Sequence, residues 1–145
     1  MKTEHRFVFD TNVLVSAFLF RNSTPRQALD AAIAVGQIIH SDETLDELWT
    51  VLVRPKFDRY LPLADRLALL RGFEQISVNH TVTTKVTLCR DPQDDKFLSL
   101  ARSAQAACII SGDPDLLVLA NTFEIPFFLR QIFVSTIPRL RLLAH

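Results

Sequence analysis

Short strand-like runs alternating with amphipathic helical segments predict an α/β chain. The expected architecture is a three-layer α/β/α sandwich around a central, mainly parallel sheet. Three observations lead there. The runs at residues 6–10, 37–40 and 107–111 are short, apolar and rich in Phe, Val and Ile. Each is followed by residues with helical spacing. The breaks between them carry helix signals, namely Ser or Asp at starts and Gly or Pro at ends.

Taken in order, residues 6–10 form the first strand and 13–20 a short apolar helix. A second helix starts at Ser23 or Thr24 with Pro25 in its first turn and stops at Gly36. Gln37, Ile38, Ile39 and His40 form a buried strand. Ser41 or Asp42 caps a helix through Leu45, Leu48, Trp49 and Leu52, which Pro55 ends. Residues 63–76 read as an amphipathic helix and 78–86, rich in Val and Thr, as at least one strand. A helix from Pro92 or Asp94 to Ala106, a strand at 107–111 and a helix capped by Asp113 follow. A last strand is expected at 131–135, with a short helix after Pro138.

With 145 residues, 48% hydrophobic residues and 11 Phe, one domain spanning 1–145 with a substantial core is expected. No apolar stretch approaches the ~20 residues of a membrane span. Glu4, His5 and Arg6 precede a short strand rather than a signal-peptide core, so a cytoplasmic compartment is expected. Cys89 and Cys108 form no metal-type cluster, and Cys108 reads as a small core residue. A net charge of zero, from 16 basic and 16 acidic residues, argues against a protein that coats nucleic acid through bulk charge. It leaves room for an enzyme with an acidic site and a basic rim.

The carboxylates are the informative residues. Asp10 follows the first strand and Asp113 follows the 107–111 strand, so both should project from one carboxyl edge, where open α/β sheets bind ligands. Phe97, Leu98 and Ala101 lie three, four and seven positions after Asp94, which therefore points inward. That geometry suits a plain helix cap as well as a site residue. Asp46 and Glu47 flank the apolar stripe of their helix on opposite sides, and periodicity does not choose between them. Two carboxylates ~4 Å apart repel by roughly 4 kcal/mol at an effective dielectric near 20. Several at one edge call for protons or a cation. Hard oxygen donors select Mg²⁺ or Mn²⁺, and a carboxylate-held ion of this kind activates water and stabilises charge on a phosphodiester. His5, His40, His80 and His145 are scattered and offer no alternative ligand set.

The ordered motifs resemble the PIN-domain family. They are Phe9-Asp10-Thr11-Asn12-Val13-Leu14, Leu45-Asp46-Glu47-Leu48 with Arg54-Pro55-Lys56-Phe57, Asp91-Pro92-Gln93-Asp94-Asp95-Lys96-Phe97-Leu98, and Ile110-Ser111-Gly112-Asp113-Pro114-Asp115. Each alone is unspecific; the set covers nearly the whole chain in order. Within the family the chain is similar to VapC-like bacterial toxins of toxin–antitoxin systems. The resemblance implies a Mg²⁺- or Mn²⁺-dependent endoribonuclease. It implies metal-binding and catalytic roles for Asp10, Glu47 (rather than Asp46), Asp94 and Asp113, with Asp115 auxiliary. Thr11 or Asn12 would support the site by hydrogen bonding, and Ser111 stands where the family often has Thr. It further implies an RNA substrate, a homodimer or higher homo-oligomer and a small antitoxin. Arg21, Arg26, Arg54 and Lys56 are rim candidates for the RNA backbone and equally plain surface charges. Residues 123–130 match no motif.

Two other classes compete. A haloacid-dehalogenase-like phosphatase also has an Asp after the first strand but needs another two residues on, where this chain has Asn12. A receiver domain would want paired acids near the start and a late lysine. A non-enzymatic alternative keeps the fold as a catalytically silent RNA-binding or protein-interaction module; the filled acidic positions count against it.

Overall fold

The computed structural model of the chain describes residues 5–85, 95–112 and 127–129. Among these, β1 (His5–Phe9), β2 (Gly36–His40), β3 (Val78–Asn79), β4 (Cys108–Ser111) and β5 (Phe127–Leu129) form one sheet in the order β3-β2-β1-β4-β5. Every pairing is parallel. The helices are α1 (Thr11–Leu19), α2 (Thr24–Val35), α3 (Asp42–Leu52), α4 (Leu63–Ile76) and α5 (Asp95–Ala104), with a 3₁₀ turn at Pro55–Phe57.

The alternation of side chains along the strands produces the layers. Phe7 and Phe9 of β1, Ile38 of β2, and Cys108 and Ile110 of β4 face one side. There they pack with buried residues of α1 to α4, including Leu14, Phe18, Leu29, Leu48, Leu52, Leu70 and Phe73. Val8, Ile39 and Ile109 face the other side and pack with Phe97, Leu98, Leu100, Ala101 and Ala104 of α5. The result is the expected α/β/α sandwich. A strand covered on both faces cannot alternate apolar with polar, which is why these runs are continuously hydrophobic.

Local signals set most of the boundaries. Ser23 caps α2 by accepting from Arg26 N–H, and Pro25 occupies the first turn. Ser41 caps α3 in a reciprocal box with Thr44. One boundary is corrected and two details are added. α1 begins at Thr11, two residues earlier than its apolar pattern suggests, because the Asp10 side chain caps it. Gly36 ends α2 as expected and, at φ −171°, also opens β2 in extended conformation. A β-carbon there would lie 2.2 Å from the His5 carbonyl oxygen, so glycine is needed for close approach to β1. Residues 127–129, within a segment that matched no motif, form β5 beside β4.

The Val/Thr-rich stretch contributes a strand of only two residues, Val78–Asn79. The helix expected after Asp113, the strand at 131–135 and the final helix lie outside the described residues, as do Asp94, Asp113 and Asp115.

Arg66 of α4 is the largest fully buried side chain among the described residues. Its guanidinium donates to the carbonyls of Leu52 (2.7 Å), Leu61 (2.9 Å) and Arg54 (3.0 Å) and to the carboxylate of Asp58. It thereby satisfies carbonyls left open where α3 ends and fixes the chain leaving that helix.

Candidate active site

β1 lies between β2 and β4: the chain builds the sheet outward through β2 and β3 on one side and then crosses to add β4 and β5 on the other. The crevice beyond its carboxyl end is where α/β sheets bind ligands. Asp10 occupies that end. Its backbone N–H bonds to the Ile110 carbonyl at 3.1 Å, continuing the β1–β4 register one step past the strand. Asp10 is therefore set against Ser111, and the Ser111 hydroxyl donates to Asp10 Oδ2. Oδ1 accepts the Val13 N–H at 2.8 Å as the cap of α1. Both oxygens are held and the residue is buried.

Glu47 reaches the same place from α3. The Thr11 hydroxyl, one residue from Asp10, donates to Glu47 Oε2. Periodicity left Asp46 and Glu47 undecided; the structure brings Glu47 inward beside β1 and leaves Asp46 exposed. It also separates the two supporting candidates, since Thr11 is buried on Glu47 whereas Asn12 is exposed. The carboxyl end of β4, from which Asp113 follows, lies at this edge, and α5 begins one residue after Asp94. Among the described residues no group of three or more His, Cys, Asp or Glu side chains comes together as a metal site. The described pair, Asp10 and Glu47, with the Thr11 and Ser111 hydroxyls, is a hard-oxygen set. Its chemistry suits Mg²⁺ or Mn²⁺ rather than a soft metal.

A residue not singled out from the sequence completes the arrangement. Lys96, the second residue of α5, places Nζ 2.8 Å from Glu47 Oε1 with its side chain only 10% exposed. The ammonium also lies 5.7 Å from the centroid of the Phe97 ring. One signal pointed to it: a lysine in the first turn of a helix opposes the helix dipole and needs an anion nearby. From Glu47 a groove of about 550 Å³ runs along α3, lined by Glu43, Asp46, Glu47, Thr50, Val51, Arg54 and Lys96. Of the four rim candidates, Arg54 alone lines this groove. Arg26 pairs with Asp30 at 3.1 Å, and Lys56 lies over the Phe57 ring.

Comparison with known proteins identifies the family. A family model described as PIN domain matches residues 6–115. An uncharacterized protein of Methanocaldococcus jannaschii is 36% identical over 123 residues, covering 83% of this chain and 78% of that one. Among solved structures, the Mycobacterium tuberculosis toxin VapC20, described as cleaving the sarcin-ricin loop, superposes with a TM-score of 0.52. The match covers 78% of this chain and 94% of that one at 12% identity, a level that speaks to the fold. The matched segment begins in β1, takes in Asp10, Glu47 and Ser111 and extends past β4, so the chain belongs to the PIN-domain family.

Proposed function

We propose that the chain is a divalent-metal-dependent endoribonuclease that hydrolyses phosphodiester bonds of RNA. The observation that carries this reading is the set of contacts that holds Asp10 and links its neighbour Thr11 to Glu47. Both acids are braced by hydroxyl donors, Ser111 and Thr11, at the carboxyl end of the central strand. Acids held and oriented in this way suit a hard cation. Asp94 and Asp113, with Asp115 auxiliary, are proposed to complete the ligand set from the start of α5 and the end of β4.

The chain's own groups would act as follows. Ser111 and the Val13 N–H fix both oxygens of Asp10, so the carboxylate keeps one orientation. Thr11 does the same for one oxygen of Glu47. Such bracing by neighbouring donors orients metal ligands. When bound, Mg²⁺ or Mn²⁺ would supply water activation and stabilisation of the charge that develops on the phosphodiester. Arg54, on the groove, would position the RNA backbone.

The family also supports a biological setting, again as a proposal: a toxin paired with a small antitoxin, acting as a homodimer in the cytoplasm. The relative VapC20 is itself described as a toxin.

The test is cleavage of single-stranded RNA with Mn²⁺ or Mg²⁺ by the wild type and by Asp10→Asn. The substitution is expected to lower the rate by more than the roughly 10–100-fold typical of losing an outer-shell partner, and excess chelator should abolish cleavage. Equal rates in the variant, or undiminished cleavage in chelator, overturn the reading.

A further inference from the structure

We propose that Lys96 hands its charge from protein to substrate: without a divalent ion it neutralises Glu47, and with one it turns into the α3 groove to contact an RNA phosphate. The inference rests on the nuclease reading above and adds a substrate-positioning residue that also regulates the site.

The ion pair is costly to build. Lys96 lies in the first turn of α5, where the helix dipole repels a cation. It is nearly buried, which removes water from a strongly hydrated ammonium. The favourable partner is Glu47 Oε1 at 2.8 Å, while Thr11 holds the other oxygen. Lys96 thus stands where a cation ligated by Glu47 would otherwise supply positive charge. A divalent ion on Glu47 both weakens this attraction and repels the ammonium, and the repulsion scales with the ion's charge.

The groove gives the displaced ammonium a destination. Lys96 already lines it, and its flexible four-carbon stem can swing without moving α5. Three acids, Glu43, Asp46 and Glu47, face Arg54 and Lys96 there. While Lys96 is committed to Glu47, Arg54 opposes Glu43 and Asp46 alone, and the groove disfavours a phosphate. Once a metal takes over Glu47, Lys96 joins Arg54 in facing the RNA backbone. Metal and RNA should therefore bind with positive coupling, which is reciprocal by linkage.

The variants are Lys96→Met, which keeps the stem and removes the charge, and Lys96→Arg, which keeps the charge. Mn²⁺ binding is measured by calorimetry. RNA binding is measured by anisotropy with a hydrolysis-resistant phosphorothioate single-stranded RNA at several salt concentrations. Lys96→Met is expected to bind Mn²⁺ several-fold more tightly than wild type. In Mn²⁺ it should bind the RNA about 10-fold more weakly, with a log–log salt slope shallower by about one. Lys96→Arg should keep the wild-type slope. An ion pair that merely competes with the metal predicts tighter Mn²⁺ binding with wild-type RNA affinity and salt slope in Lys96→Met, and that result overturns the proposal, as does unchanged or weaker Mn²⁺ binding.

A measurement on the unsubstituted protein applies even if Lys96→Met does not fold. Acetylation of Lys96, read by mass spectrometry, should be slow in chelator, several-fold faster in Mg²⁺ and slow again when the RNA is added. A rate indifferent to Mg²⁺ overturns the handover. A wild type that takes up neither Mn²⁺ nor Mg²⁺ overturns the nuclease reading itself. One that takes up the ion, with Lys96 labelling unchanged, overturns the handover alone.

Discussion

At the scale of single residues, the site is a set of side chains each held by a specific neighbour. Asp10 was legible in the sequence because a strand end needs no tertiary information to be recognised. Glu47 was not, since its helix presents two acids symmetrically about the apolar stripe. The Thr11 hydroxyl at the start of α1 and the Lys96 ammonium, both tertiary contacts, distinguish it from Asp46. His40, at the end of β2, shows a different single-residue effect. It is buried with Nδ1 2.7 Å from the Ser77 hydroxyl. Burial lowers its pKa below the usual 6.5, and the charges of Glu74 and Asp42 recover part of the shift. With the folded-state pKa below the unfolded one, the unfolded chain binds more protons in the interval between them. The stability contribution is complete above about pH 6.5 and is lost as pH falls through the lowered value. The urea midpoint of the wild type should therefore drop below about pH 6.5, and His40→Gln should drop less steeply. Parallel pH profiles for the two proteins would show that another group is responsible.

At the scale of elements, caps and periodicity predicted α2, α3 and α4 well, α4 to the residue, because their signals are local. β5 escaped because a three-residue strand carries too short a pattern to have a period; it exists by pairing with β4. Arg66 escaped for a related reason. An arginine on an amphipathic helix reads as surface charge until the carbonyls of Leu52, Arg54 and Leu61 are seen to surround it. Gly36 shows how two elements share one position, ending α2 while making room for β1. Gly36→Ala should cost about 1–3 kcal/mol in urea unfolding, as overpacking does, since the backbone carbonyl of His5 cannot swing away like a side chain. Gly72 in α4 is the control. Nothing lies within 4 Å of an added β-carbon there, and alanine should stabilise the helix by roughly 0.5–1 kcal/mol. Equal effects at the two glycines would refute the close-approach explanation.

At the scale of the whole molecule, the layers follow from strands hydrophobic on both faces, which is why the fold class was readable before any contact was known. Among the described residues no helix is long and apolar enough to cross a membrane. Cys108, in β4, reports on the intact sandwich. It is buried, and burial pushes its thiol far above the ordinary range. In the folded protein it should resist iodoacetamide at pH 8 and react once urea unfolds the chain, as peptide mapping would show. Prompt labelling under native conditions would mean that β4 opens independently. That strand also governs when the site can exist. The contact between Asp10 and Ser111 spans 101 positions of sequence. During synthesis, β1 and β2 emerge long before β4, and until Ser111 leaves the ribosome the Asp10 carboxylate lacks the hydroxyl that orients it. A chain still being translated therefore carries Asp10 without the partner that sets its orientation, and that partner arrives only with the fourth strand of the sheet.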